Sequence, residues 1–280
     1  MTTRPAWLKV RAPGGPEYER VLGSIRAGGL HTVCESAHCP NMGECWSQGT
    51  ATFMILGNVC TRSCGFCAVQ TGRPTELDLD EPAKVAEAVS QMGLTFAVVT
   101  SVNRDELADG GAEIFARTIR AIRARNPACG IEVLIPDFRG DPASLDLVFA
   151  ERPEVLNHNT ETVPRLYRRV RPQARYVRSL RVLRRAAMQG LRVKSGLMLG
   201  LGETHPELES VFGDLAEAGV QVLTLGQYLQ PTPQHLPMER YVPPEEFAVL
   251  KQKALAAGLE HVEAGPLVRS SYHAKDHAGR

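Results

Sequence analysis

Residues 52–67 read Thr52-Phe53-Met54-Ile55-Leu56-Gly57-Asn58-Val59-Cys60-Thr61-Arg62-Ser63-Cys64-Gly65-Phe66-Cys67. The run 52–57 is short, apolar and closed by glycine, which predicts a buried strand. Residues 60–67 follow as a loop carrying three cysteines. Downstream, Val85, Ala86, Val89 and Met92 recur at helical spacing, so 81–92 reads as a helix stopped by Gly93. The alternation then repeats. Strands at 95–100, 131–135, 154–157, 192–197 and 221–225 alternate with helices at 112–125, 142–150, 206–218 and 244–257. Between 157 and Gln189 the helical sequence is interrupted by Pro172, and 261–264 offers a last short strand. Six strand–helix units imply parallel strands joined by right-handed crossovers. Periodicity alone leaves an open barrel and a doubly wound sheet as alternatives. In a barrel the chemistry sits on loops after the strands. The cysteine loop, the 100–111 loop and the 200–203 turn all lie at such positions. Upstream, Pro5, Pro13, Gly14, Gly15 and Pro16 make 1–32 read as an irregular arm, and 33–50 reads as loop.

The chain has 280 residues, 43% hydrophobic and 22% charged, enough for a sizeable core. Lys+Arg number 32 and Asp+Glu 31, a net charge of +1 that argues against nucleic-acid binding through bulk charge. No run is long enough to span a bilayer. Residues 1–30 hold Arg4, Lys9, Arg11, Arg20 and Arg26 and no apolar stretch, unlike a secretory signal. A cytoplasmic protein without membrane or nucleic-acid partners is expected.

Six of the seven cysteines fall between residues 34 and 67. In a reducing compartment such clustering points to metal or redox chemistry rather than disulfides. Cys60-x3-Cys64-x2-Cys67 offers three thiolates from one loop. Zinc sites ordinarily use four ligands in paired C-x2-C spacing. A four-iron cluster on three cysteines keeps one iron open to a chelating ligand, and Phe66 would shield it. The pattern, with an aromatic before the last cysteine, resembles the radical S-adenosylmethionine (SAM) family. A second triple, Cys34-x4-Cys39-x5-Cys45, fits no common zinc or ferredoxin spacing. With both triples the chain resembles the lipoyl synthase family. The blocks Thr100-Ser101-Val102-Asn103-Arg104-Asp105, 157–162, 194–203 and Arg269-Ser270-Ser271-Tyr272-His273-Ala274 resemble that family too, in order. Asn103, Glu106 and Thr232-Pro233-Gln234 depart from its pattern.

The resemblance implies an α/β fold, a partial (β/α)6 TIM-like barrel over 51–265. An N-terminal cluster-binding arm, 1–50, and a C-terminal tail, 266–280, would cross its open end. Cys60, Cys64 and Cys67 would hold one [4Fe-4S] cluster, its open iron chelated by SAM. Cys34, Cys39 and Cys45 would hold an auxiliary [4Fe-4S] cluster, the sulfur source, with Ser270 rather than Ser271 as fourth ligand. Asn159 and Glu161 would contact the ribose of SAM, and Gly200, Gly202 and Glu203 would form its adenine turn. Arg104 and Asp105 would either meet the carboxylate and amine of SAM or pair with each other. The implied reaction inserts two sulfur atoms at carbons 6 and 8 of a protein-bound octanoyl-lysine. The alternative is another radical SAM sulfur-inserting enzyme, biotin synthase-like or tRNA methylthiotransferase-like. The implied partners are an acidic octanoylated lipoyl-carrier domain, of a 2-oxo acid dehydrogenase E2 subunit or the glycine cleavage H protein, and an electron donor such as ferredoxin or flavodoxin. Nine arginines in 165–185 read either as a solvated helix face or as a docking surface for that carrier. Cys129 reads as a core residue and His38 as a bystander between two ligand cysteines.

Overall fold

A computed structural model describes residues 5–9, 14–36, 39, 41–47 and 52–279. Helix α1 (Pro16–Ala27), strand β1 (His31–Thr32) and short helices α2 (Val33–Ser36) and α3 (Met42–Ser47) precede β2 (Thr52–Ile55). Two-residue strands β3 (Val59–Cys60) and β4 (Gln70–Thr71) flank the cysteine loop. There follow α4 (Glu81–Gln91), β5 (Phe96–Ser101), α5 (Ala112–Arg125), β6 (Gly130–Leu134), α6 (Pro142–Ala150) and β7 (Val155–Asn157). Then come α7 (Tyr167–Val170), α8 (Tyr176–Met188), β8 (Val193–Leu199), α9 (His205–Glu217), β9 (Val222–Gln227), α10 (Pro244–Ala256) and β10 (His261–Gly265).

The main sheet runs β1-β2-β5-β6-β7-β8-β9-β10. Every pair is parallel except β1 with β2. A doubly wound sheet reverses strand order at a switch point. Here the order never reverses, so the helices wind round one side and the sheet is the expected partial barrel, with β10 as a seventh parallel strand.

The two faces of the sheet differ in chemistry. One register row is Phe53, Val99, Val133, Leu156 and Val193, all buried in the core that the helices cover. The opposite row runs Leu134, Asn157, Lys194, Val222 and His261, with Glu132 and Thr224 two residues away on their strands. On this inner face the C-terminal segment packs. Ala274 lies against Phe96, Val98 and Val155. Lys194 Nζ donates to both oxygens of Glu132 at 2.9 Å and to His277 Nδ1 at 2.9 Å. Asn157 Nδ2 also donates to Glu132, at 2.9 Å. A buried ion pair is tolerable only when fully bonded in this way. Burial, then Lys194 itself, pushes His277 down to about 2, so its ring stays neutral and accepts.

The arm departs from expectation. Residues 16–27 are helical, not irregular, because Pro16 sits in the first turn, where its missing N–H costs nothing. Val21 and Ile25, one turn apart, are buried in the same core as the barrel. Residues 33–50 are not all loop: Cys34 lies on α2 and Cys45 on α3, with Trp46 buried and stacked on Tyr18 at 5.1 Å. His38, Arg4, Arg11 and Pro13 lie outside the described residues.

Candidate cluster and cofactor site

The loop after β2 is clamped from several sides. Gly65 N–H donates to Val170 O, and Leu236 N–H donates to Gly65 O, both at 2.9 Å. A Cβ at Gly65 would stand 2.7 Å from Leu236 Cγ, so the Leu236 side chain would have to shift to make room for one. His235 Nε2 donates to Cys67 O at 3.0 Å, and Thr232 Oγ1 bonds His235 Nδ1 at 2.8 Å. The segment around Thr232-Pro233-Gln234 therefore folds over the cysteine loop. Asn103 N–H points at Cys60 Sγ at 3.3 Å, and Arg62 N–H at 3.5 Å.

Arg62, inside the motif, is buried and reaches Asp105 at 2.6 and 2.8 Å and Asp137 at 2.6 Å. Arg178 meets the other oxygen of Asp137 at 3.1 Å. Burial alone would raise the Asp137 carboxyl, but the Arg62 bonds outweigh it and hold it well below the usual range. Arg104 and Asp105 do not pair with each other. Arg104 turns under the loop to Glu106 at 2.5 Å, Leu56 O at 2.9 Å and Glu76 O at 3.0 Å, which leaves Asp105 to Arg62.

Beyond β7 lies a buried polar cluster. Asn159 Nδ2 donates to Glu161 Oε1 at 3.0 Å and to Ser270 Oγ at 2.7 Å. Arg171 Nη1 donates to Asn159 O at 2.7 Å. Its Nε and Asn159 Oδ1 are buried without partners among the described residues. Burial raises Glu161 while Arg171 opposes the shift. Glu161 adopts φ +67° and bridges to Leu197 of β8. The 200–203 turn is built around Glu203, whose oxygens accept from Gly200 N–H at 2.6 Å and Leu201 N–H at 2.9 Å. The space beside Gly200 is taken by Arg240 O and the Gln227 side chain. Gly202 O accepts from Arg165 at 2.8 Å.

The second triple spans α2, residue 39 and α3. Cys39 N–H donates to Cys34 O at 2.9 Å, and Cys45 N–H to Asn41 O at 2.8 Å. Asn41 Nδ2 donates to Leu267 O at 2.6 Å, tying arm to tail. Val268 O lies so close over Gly226 that any Cβ there would collide with it. Arg269, half-buried, has no carboxylate partner among the described residues; burial lowers its pKa, and Cys39 is the one acidic group that opposes the shift. Ser270 faces Asn159, whereas Ser271 lines the same cavity as Cys45.

Both triples fit a cluster. Burial, then the neighbouring thiols, raises Cys45 to about 12, and Cys34 to about 11. Burial pushes Cys67 up to about 12; the Val69 N–H opposes this, and Cys64 and Cys60 add to it. Within each triple the sulfurs are close enough to act on one another electrostatically, and all six are free thiols. Trp46 Nε1, a buried donor without a partner, sits beside Cys34 and is suited to a cluster sulfur. The orphaned Arg171 Nε, whose charge reaches Cys64, and the orphaned Asn159 Oδ1 suit a ligand with a carboxylate and hydroxyls. Cys129 is a core residue, donating to Gly130 O at 3.4 Å. Sequence reasoning missed Arg62, Asp137 and Arg171. Only the place of Arg62 between two cysteines was a signal.

Of the nine arginines in 165–185, five are engaged. Arg165 pairs with Glu207, Arg169 with Glu239, Arg178 with Asp137 and Arg185 with Asp146, while Arg171 donates to Asn159 O with its Nε buried. Arg168, Arg175, Arg181 and Arg184 are exposed and unpaired among the described residues. No helix among those residues is long and apolar enough to cross a membrane.

The family model of the Radical SAM superfamily matches residues 54–215. In fold the chain is similar to methylornithine synthase, with TM-score 0.52 and 15% identity over 76% of this chain and 70% of that one. Streptococcus suis SuiB bound to S-adenosylmethionine gives TM-score 0.62 and 9% identity over 81% of this chain and 55% of that one. In sequence it is 62% identical to lipoyl synthase of Rubrobacter xylanophilus, over 98% of this chain and 86% of that protein. It is 58% identical to lipoyl synthase of Koribacter versatilis, over 98% of this chain and 91% of that protein. Identity of this level along a parallel barrel that carries both thiol triples means that the chain belongs to the lipoyl synthase family of radical SAM enzymes.

Proposed function

We propose that the chain converts an octanoyl group, carried on a lysine of a lipoyl-carrier domain, to lipoyl by inserting sulfur at carbons 6 and 8. The observation that carries this reading is the pair of thiol triples, free and largely shielded, joined to the polar cluster beyond β7 by one tail. When bound, two [4Fe-4S] clusters and SAM supply electron transfer, hydrogen abstraction and sulfur. The chain binds and orients them. Cys60, Cys64 and Cys67 hold the SAM cluster, with the Asn103 and Arg62 amides fixing Cys60. Arg171 offers Nε to the carboxylate of SAM, and Asn159 and Glu161 take its ribose. Gly200, Gly202 and Glu203 set the backbone turn beside the adenine. Arg104 and Asp105 act one step back, by bracing the loop. Phe66 and the 232–236 segment exclude water.

Cys34, Cys39 and Cys45 hold the auxiliary cluster on the arm (1–50), beside the barrel (51–265) and under the tail (266–280). Ser270 is its oxygen ligand only if it gives up the bond from Asn159; Ser271 reaches the Cys45 cavity without that exchange. Arg168, Arg175, Arg181 and Arg184 receive an acidic carrier, an E2 lipoyl domain or H protein, and a ferredoxin or flavodoxin supplies electrons. Relatives named lipoyl synthase favour this reading over a biotin synthase-like or tRNA methylthiotransferase-like one.

The test separates the triples. Reconstituted protein should carry about eight iron per chain, and an alanine at either triple about four. Cys64→Ala should abolish SAM cleavage. Cys39→Ala should keep cleavage and lose lipoyl product. Of Ser270→Ala and Ser271→Ala, the one that alters the electron paramagnetic resonance of the auxiliary cluster identifies the ligand. Four iron in the wild type, or equal loss of both activities in both triples, would sink the assignment.

A further inference from the structure

We infer that His261, Glu263 and His277 form a site for one divalent transition metal, zinc by the character of its donors, which fastens the C-terminal tail to β10. His261 and Glu263 lie two residues apart on β10, so their side chains leave the same face of the strand. His277 reaches that face from the tail, its ring centre 4.9 Å from that of His261. One donor atom from each of the three lies within 4.8 Å of the other two. His261 Nε2 and His277 Nε2 are both buried without a hydrogen-bond partner among the described residues. Glu263 faces His261 Nε2 at 3.8 Å and His273 Nδ1 at 3.6 Å, too far for hydrogen bonds. Two orphaned nitrogens and an unbonded carboxylate around one space are what an ion between them would satisfy.

Two imidazoles with one carboxylate are a zinc-type donor set. Donors about 2.0–2.1 Å from a tetrahedral ion stand about 3.3 Å apart, so the widest gap here must close by about 1.5 Å. His261 and Glu263 are partly exposed and can turn, and His273 Nδ1 is at hand as a fourth donor. The neighbouring cations are already paired, Arg192 with Glu260 at 3.2 Å and Lys194 with Glu132 at 2.9 Å. Because His277 Nδ1 accepts from Lys194, the neutral ring carries its hydrogen on Nε2. Coordination replaces that hydrogen. One Lys194 proton passes to Nδ1, the resulting amine accepts the bond it had donated, and the Nε2 proton leaves to solvent. Burial, which lowers Lys194 against the opposing pull of Glu132, favours the transfer. One ion enters, one proton leaves, and the charge of Lys194 gives way to that of the metal.

The experiment follows zinc, not turnover. Wild type, His261→Asn and Glu263→Gln, all loaded with iron and sulfide to occupy their thiols, are equilibrated with zinc, desalted and assayed for metal. The wild type should hold about one zinc more than either variant. Amide hydrogen exchange of the wild type with and without zinc locates the ion with no substitution at all. Exchange should slow several-fold across 261–265 and 272–279 and stay unchanged across 60–67. Zinc on residual thiols would appear equally in all three proteins, so the comparison stands whether or not clusters are bound. No zinc in the wild type, zinc retained in full by either variant, or unchanged exchange of the tail in the zinc-loaded wild type would each overturn the site.

Discussion

His158 is held at both ring nitrogens. Its Nδ1 donates to Ile135 O at 2.9 Å, and its Nε2 accepts from Ser179 Oγ at 3.0 Å. Tyr167 OH donates in turn to Ser179 Oγ at 3.3 Å. Burial, then Arg171, pushes the ring down to about 4. The unfolded chain binds the proton from about pH 6.5 downward and the folded chain does not. Stability is therefore intact above that pH and falls as pH drops toward 4, by at most about 3 kcal/mol. Denaturant titrations of the cluster-free chain should show this decline in the wild type. The decline should be smaller in His158→Gln, which has no proton to gain; equal slopes would remove His158 as the cause. His158 sits one residue before Asn159, so the bonds that hold its ring to Ile135 O and Ser179 also fix the backbone of the polar cluster.

At the scale of elements, two glycines make a graded comparison. A Cβ at Gly226 meets the backbone carbonyl of Val268, which is held in place by the tail. A Cβ at Gly65 meets the tip of the Leu236 side chain, which can turn away. Gly226→Ala should cost about 1–3 kcal/mol as an overpacking change and expose the tail to protease. Gly65→Ala should cost less; the reverse order in thermal melts would show that the tail is not held against β9. The elements themselves were largely legible. Helices α5 and α6 fall at their expected limits, and β2 and β5 through β10 lie within two residues of expectation, because the apolar row facing the helices reads directly as periodicity; the two-residue strands β3 and β4 beside the cysteine loop were not expected. The arm did not, since Pro-Gly punctuation reads as breakage whether or not a helix starts just behind it. The thiol triples were legible because cysteine spacing within one loop is local. The bond of Asn159 to Ser270, 111 residues apart, was not. Nor was Arg171 separable from its neighbours in an arginine run until the fold turned it inward onto Asn159 O.

For the molecule as a whole, the arginine run proves to be two things at once. Five arginines stitch the barrel's rim together, and four exposed ones face outward near the cysteine loop and along α8. On α8, Arg181 and Arg184 lie between exposed Val177 and Met188, a mixed apolar and cationic stripe at helical spacing. Replacing Arg168, Arg175, Arg181 and Arg184 with glutamate should weaken binding of an acidic carrier domain at least several-fold at low salt. Affinity of the unaltered chain should itself fall as salt rises. Iron content and SAM cleavage should not change; unchanged carrier affinity would make the four arginines a solvated face. The barrel that carries them does not close, and an unclosed sheet has two strand edges, the places where one copy of a protein can zip onto another. Here one edge is β1, two residues long and antiparallel, and the other is β10, which carries His261 and Glu263. Short edges and charged strand residues are what discourages edge-to-edge pairing, so the opening that admits the arm and the tail does not leave a template for aggregation.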